Sequence, residues 1–237
     1  MGLWTFLGGI HMEFKSVFDI IGPIMIGPSS SHTAGAARIG LFARKLFGKT
    51  PQKAVITLFG SFAKTYKGHG TDVALVGGLL NFSTDDERIP QALELAKQRG
   101  LELEFIISDE EPAHPNTVKL ELIHEETALS VVGESIGGGK MRIIGIDSYA
   151  LRVPDAKPSL FIVHDQDEGL DALGRIRELL QERDNQIQGV QTSKGKEAKM
   201  NGTMIELHSH ISHSTMEGLR RIPQIKDLKV IGGDFHV

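Results

Sequence analysis

Apolar residues recur along this chain at two different periods, and the change of period predicts where its elements lie. Ser16 and Asp19 form a capping-box pattern ahead of Val17, Phe18, Ile20 and Ile21, which predicts a short helix running to Gly22 before Pro23 and Gly27-Pro28 break it. From Thr33 to Phe47, the positions Ala37, Ile39, Leu41, Phe42, Leu46 and Phe47 follow helical spacing, and Gly48 ends the run. Lys53 to Phe59 reads as a strand, Thr71 to Leu80 as a tightly packed helix, and Arg88 to Gln98 as an amphipathic helix stopped by Gly100. Between Leu101 and Val153 the alternation becomes two-residue. It predicts strands at Leu101 to Ile107, Thr117 to His124, Ala128 to Glu134 and Met141 to Ile146, separated by turns such as His124-Glu125-Glu126 and Gly137-Gly138-Gly139.

Pro154 to Pro158 has the composition of a linker. Beyond it the expected order is strand (Ser159 to His164), helix (Leu170 to Glu182), strand (Gln186 to Thr192), strand (Lys199 to Ser209), helix (Thr215 to Ile222) and strand (Leu228 to Gly232). That order is the βαββαβ split motif of a ferredoxin-like fold. The expected class is therefore α+β: an N-terminal α/β domain over 12–153 with a mixed or antiparallel sheet, a linker at 154–158 and a ferredoxin-like domain over 159–237. One face of a βαββαβ sheet carries no helix and must be solvated or buried, which suggests pairing with a second copy. Residues 1–11 precede a second methionine, Met12, and read as a leader added ahead of a native start at that residue.

Composition removes several function classes. The 237 residues carry a formal charge of -4, with no run of Lys or Arg, so neither nucleic acid nor an anionic membrane surface is an expected partner. With no cysteine, the chain can form neither a disulfide nor a thiolate-held cluster, and any such metal chemistry must come from another chain. The expected ligand is a small molecule or a protein, and no metal is expected on this chain.

Chemistry concentrates in three glycine-flanked stretches. Gly27-Pro28-Ser29-Ser30-Ser31-His32-Thr33-Ala34-Gly35 gathers hydroxyls, an imidazole and free N–H groups at a helix N-terminus, more than a cap requires and suited to an anion. Gly60-Ser61-Phe62, Thr65 and Lys67-Gly68-His69-Gly70-Thr71-Asp72 place a second histidine between glycines just before a helix, where a ligand can approach the backbone closely. His114-Pro115-Asn116-Thr117 has the form of a turn entering a strand.

Together these stretches, in this order, resemble the small, cysteine-free beta subunit of the iron-sulfur L-serine dehydratases over most of Phe14 to Gly233. The resemblance implies a cytosolic heteromeric lyase that converts L-serine to pyruvate and ammonia. A separate cysteine-bearing alpha chain would hold a [4Fe-4S] cluster acting as Lewis acid on the serine hydroxyl. On this chain, His32 first and His69 second are the candidates for acid/base work, because imidazole titrates near neutrality. Ser29, Ser30, Ser31, Thr33, Lys67, Gly68, Thr71, Asp72, His114, Asn116 and Thr117 are the candidate substrate-binding residues. Gly169, just after a strand, resembles the regulatory ACT domain, with His164, Asp165 and Gly169 as candidate effector residues. Two positions depart from the family pattern: Ala36 where many relatives have proline, and Gln166-Asp167-Glu168-Gly169 where many have Asp-Arg-x-Gly.

Other signals fail on their own chemistry. Gly133 to Met141 lacks the spacing of a phosphate loop, with Met141 where a hydroxyl should meet magnesium. His208, His210 and His213 could suggest zinc, but His208 and His210 share one strand face opposite the apolar Ile205, Leu207 and Ile211 and read as a solvent- or subunit-facing pair, and Asp85, Asp86 and Glu87 favour a helix dipole. A rival from another class stays open: a non-catalytic serine-sensing module whose first domain binds serine only as an effector.

Overall fold

Alternation along Lys53–Leu58 (β1) buries Ala54, Ile56 and Leu58 on one face, and this strand is the centre of the first sheet. The computed structural model describes residues 25–154, 157–166, 172–196 and 199–232. The leader at 1–11, the helix expected at Ser16 to Gly22, and Gly169 lie outside the described residues, as does part of the expected linker.

After β1 come α2 (Gly60–Thr65), α3 (Thr71–Leu79), a short 3₁₀ turn at Ile89–Gln91, α4 (Ala92–Gln98) and β2 (Glu102–Ile107). β3 (Thr117–His124), β4 (Thr127–Gly137) and β5 (Lys140–Ile146) complete a five-stranded sheet in the order β2-β1-β3-β4-β5. The sequence pattern placed β2 with the antiparallel run that follows it. Instead β2 pairs parallel with β1, because the helical crossover returns the chain to the same end of the sheet, and only β3, β4 and β5 run antiparallel to their neighbours.

Helix α1 (Gly35–Phe47) lies on this sheet and is buried on most of its circumference. Its Ile39 sits against Gly133 of β4, where a Cβ would come within 2.7 Å of it. Helix α3 packs in turn on α1, and a side chain on Gly40 would strike the Leu75 carbonyl, while one on Gly78 would come within 2.5 Å of the Leu41 nitrogen. The two backbones therefore touch. That contact sets the N-termini of α1 and α3 side by side.

A second sheet is built from β6 (Ser159–Asp165), β7 (Ile187–Lys194), β8 (Met200–Leu207) and β9 (Ile225–Ile231), in the order β7-β8-β6-β9 with every pairing antiparallel. Helices α5 (Ala172–Glu182) and α6 (His213–Arg220) cover one face, over Leu160, Ile162, Ile176, Leu180, Ile205, Leu207 and Leu219. The other face is not left bare. Phe161, Met204 and Ile231 join the core of the first sheet, and the Tyr149 ring lies 5.8 Å from that of Phe161 and flat against Gly202. Backbone groups flanking Tyr149 reinforce the seam: Ala150 N–H donates to Ser193 Oγ, and Arg152 N–H donates to the Gln191 side chain. No helix among the described residues is long and apolar enough to cross a membrane.

Because Gly78 meets the α1 backbone directly, Gly78→Ala is expected to cost about 2 kcal/mol or more in urea unfolding. Gly68→Ala, whose Cβ would meet only the Thr65 carbonyl at 3.8 Å, should stay within roughly 0.5 kcal/mol of wild type.

Candidate functional site

The serine loop enters α1 through a π-helical turn, Ser30–Ala34. Such a widened turn holds an extra residue per cycle and often marks a functional position. Ser29 caps it: the Ser29 Oγ accepts the His32 N–H at 3.1 Å, and the Ser29 carbonyl accepts the Thr33 N–H at 2.9 Å. Two further bonds hold the loop from outside. Ser135 of β4 donates its hydroxyl to the Ser31 carbonyl at 2.6 Å, and Thr33 donates its hydroxyl to the His69 carbonyl at 3.1 Å.

These ties bring the imidazole of His32 between two hydroxyls. Nδ1 lies 3.1 Å from Ser31 Oγ and Nε2 lies 3.2 Å from Ser61 Oγ. Phe62 flanks the ring at 5.4 Å, and His69 meets it edge to face, with centroids 4.7 Å apart at 87°. Burial, and after it the neighbouring His69, hold the His32 pKa below its ordinary value, so the ring stays uncharged at neutral pH.

His69 differs in kind. It is exposed, its N–H donates to the Thr65 carbonyl, and its ring nitrogens have no hydrogen-bond partner among the described residues. Lys67 and Gly68 beside it are also exposed, and the Lys67 ammonium sits 5.7 Å from the Tyr66 ring. Thr71, at the start of α3, is fully buried, and its hydroxyl has no partner among the described residues. Asp72 accepts the Val73 N–H at 2.9 Å; burial raises its pKa, a shift opposed by backbone hydrogen bonds and by Lys67.

The third stretch closes the back of the site. Pro115 accepts the Ser61 N–H at 2.6 Å, His114 Nδ1 accepts the Asn116 N–H, and the Thr117 hydroxyl donates to the His114 carbonyl. Asn116 exchanges bonds with Ser135: its carbonyl accepts the Ser135 N–H at 2.9 Å, and its side-chain N–H donates weakly to the Ser135 carbonyl at 3.5 Å. The Asn116 Oδ1 is buried and has no partner among the described residues. A buried carbonyl or hydroxyl left unpaired is costly. Asn116 Oδ1 and Thr71 Oγ1 are thus acceptors that remain open in this neighbourhood.

The structure therefore joins all three stretches singled out in the sequence, while giving their members unequal freedom. Thr33 and Thr117 are buried with their hydroxyls committed to backbone carbonyls, so they hold loops in place. His164 stands apart from this group. It is buried in the second sheet, with Nδ1 3.0 Å from the Asp165 carbonyl and Nε2 2.9 Å from the Thr203 hydroxyl, which continues to Thr192. Asp165 pairs with Lys226 at 2.9 Å. His208 and His210 are exposed, Ile205 and Leu207 are buried, and no group of three His, Cys, Asp or Glu among the described residues is placed to hold a metal.

Two contributors were not assigned from the sequence. Ser61 carried a signal, standing after a glycine where a strand gives way to a helix. Ser135 carried none, because its partner Ser31 is 104 positions away.

Comparison with known proteins places the chain in a family. The family described as "Serine dehydratase beta chain" matches residues 16–100, which hold both histidine-bearing loops. A probable L-serine dehydratase beta chain of Bacillus subtilis is 42% identical over 214 residues, covering 90% of this chain and 96% of that protein. The L-serine dehydratase beta chain of Peptoniphilus asaccharolyticus is 34% identical over 222 residues, covering 93% and 99%. A D-3-phosphoglycerate dehydrogenase of Bacillus subtilis is 24% identical over 200 residues, 83% of this chain and 37% of that one. With two relatives matched across nearly their whole length, the chain belongs to the L-serine dehydratase beta chain family.

Proposed function

We propose that this chain works with a separate, cysteine-bearing alpha chain to convert L-serine to pyruvate and ammonia, and that it contributes substrate-binding and acid/base groups. The observation that carries the reading is the pair of imidazoles, 4.7 Å apart on two different loops, one clamped by serine hydroxyls and the other open. β-Elimination of water from serine needs a proton taken from Cα and a proton given to the departing hydroxyl; the enamine left behind hydrolyses to pyruvate and ammonia. His69, exposed and with uncommitted ring nitrogens, is the group suited to exchange a proton with substrate. His32, held uncharged beside it, packs edge to face against that ring and fixes its place. Lys67 and the hydroxyl of Ser30 serve the substrate carboxylate, and the open acceptor of Asn116 serves its ammonium.

An iron-sulfur cluster does not fit the residues of this chain, which has no cysteine and, among the described residues, no metal-ligating group of three. The [4Fe-4S] cluster is assigned to the alpha chain, where it supplies Lewis-acid assistance to the departing hydroxyl. The relatives' designation as beta chains supports such a partner. The region after Pro158, with its β-α-β-β-α-β order, is proposed as an ACT-type regulatory domain, and a cytoplasmic setting belongs to the same reading. Self-association through that domain has to use surface that Tyr149 leaves uncovered. The second reading, a serine-sensing module without catalysis, draws on the likeness to the phosphoglycerate dehydrogenase.

Turnover decides between them. The chain alone is expected to be colourless and inactive, and anaerobic reconstitution with the alpha chain should restore pyruvate formation; serine binding without turnover in the pair would favour the sensor.

In the reconstituted pair, His69→Ala should lower kcat by roughly 10² to 10⁴-fold. His32→Gln, which keeps hydrogen bonding but does not titrate near neutrality, should lower kcat while retaining more serine affinity. Near-wild-type turnover for both variants would remove acid/base work from this chain.

Stability should also follow His32. Its folded pKa lies below the unfolded value of about 6.5. Below that pH the unfolded chain binds a proton that the folded chain resists, so stability present above about pH 6.5 is lost as pH falls. Urea midpoints measured from pH 8 down to 5.5 should decline more steeply for wild type than for His32→Gln.

A further inference from the structure

Ser61 is fixed before its side chain does anything. Gly60 turns the chain at φ +53, with Pro115's carbonyl 2.6 Å from where a Cβ would stand, so a side chain there would be doubly penalised. The next residue, Ser61, donates its N–H to that same carbonyl at 2.6 Å, and its own carbonyl accepts the Thr65 hydroxyl at 2.8 Å. Its Oγ is thereby aimed at His32 Nε2, 3.2 Å away.

The direction of the hydrogen bonds through His32 follows from one donor that cannot reverse, the His32 backbone N–H, which donates to Ser29 Oγ. Ser29 Oγ lies 3.3 Å from Ser31 Oγ, and Ser31 Oγ lies 3.1 Å from His32 Nδ1. A chain polarised one way runs from the backbone N–H to Ser29, from Ser29 to Ser31 and from Ser31 to Nδ1. Each bond then strengthens the next. The opposite direction makes Ser29 accept twice, which breaks the cooperative run at that hydroxyl, and this difference favours the first direction. With Nδ1 accepting, the ring proton sits on Nε2 and Ser61 Oγ is its acceptor.

We propose that Ser61 is a positioning residue: its hydroxyl holds His32 in the Nε2–H tautomer and keeps the ring edge-on to His69. The proposal deepens the functional reading above and rests on it for the consequence in turnover, while the placement of the ring does not. Ser61's own proton, the last in the chain, is left free for another acceptor.

The test reads the ring first and the rate second. ¹⁵N NMR of the histidine-labelled chain should show the Nε2–H tautomer for His32 in wild type, a mixture in Ser61→Ala, and recovery in Ser61→Thr, which restores the hydroxyl. In the reconstituted pair, Ser61→Ala should lower kcat by roughly 10- to 100-fold with KM changed less than about threefold, and Ser61→Thr should recover most of it. A His32 tautomer unchanged by Ser61→Ala, or already Nδ1–H in wild type, overturns the proposal. A tautomer that changes as expected while Ser61, His32 and His69 variants all turn over normally supports the placement and defeats the functional reading instead.

Discussion

Gly40 and Gly78 let two helices meet backbone to backbone, and the site depends on that approach. Helix α1 is already fixed on the sheet by Ile39 over Gly133, so the distance of α3 from α1 sets how far the serine loop stands from the His69 loop. At this separation the Thr33 hydroxyl reaches the His69 carbonyl and the two imidazoles touch edge to face. Interiors packed to crystal-like density do not absorb a methyl group at such a point without moving backbone. The small residues of both helices thus set the geometry of the candidate site from outside it.

Around that contact the hydrogen bonds sort polar side chains into two kinds. Ser29, Thr33, Thr117 and Ser135 satisfy backbone groups and make the loops rigid. The His69 ring, the Thr71 hydroxyl and the Asn116 amide oxygen lack such partners among the described residues. Orphaned acceptors beside an anchored, glycine-bounded loop are where a small polar molecule gains most by binding, since it replaces hydrogen bonds the protein itself does not make.

The second sheet is joined to the first by the same core. Tyr149 leaves the end of β5 and lies on the helix-free face of the second sheet, against Phe161 and Gly202, so that face is partly closed within one chain. Asp147, just before it, accepts the Ser130 N–H, and burial raises its pKa, with Lys229 of β9 opposing the rise and Asp227 adding to it. Movement in the second sheet would therefore be felt at the end of β4 and β5, the hairpin whose other end carries Ser135 beneath the serine loop.

Apart from the short helix α2, which was not expected, the order of the described elements, the two periodicities and the three glycine-flanked stretches were legible in the sequence, because amphipathic spacing and helix-terminus chemistry are local properties. The strands after Leu101 lay within a few residues of their expected places, whereas β8 ends at Leu207, so the exposed His208 and His210 stand beyond the strand whose face they were expected to share. Three features were decided only by the fold. The parallel pairing of β2 required the crossover, the covering of the second sheet's bare face required Tyr149, and the Ser135 bond to Ser31 required bringing together residues 104 positions apart. The different surroundings of the two histidines belong with these. Both sit in polar, glycine-bounded loops and look alike in sequence, but Ser61 reaches only one of them, and a hydrogen bond across 29 positions has no local signature. A sequence can specify which side chains are present, whereas which of them are left without partners is a property of the completed packing.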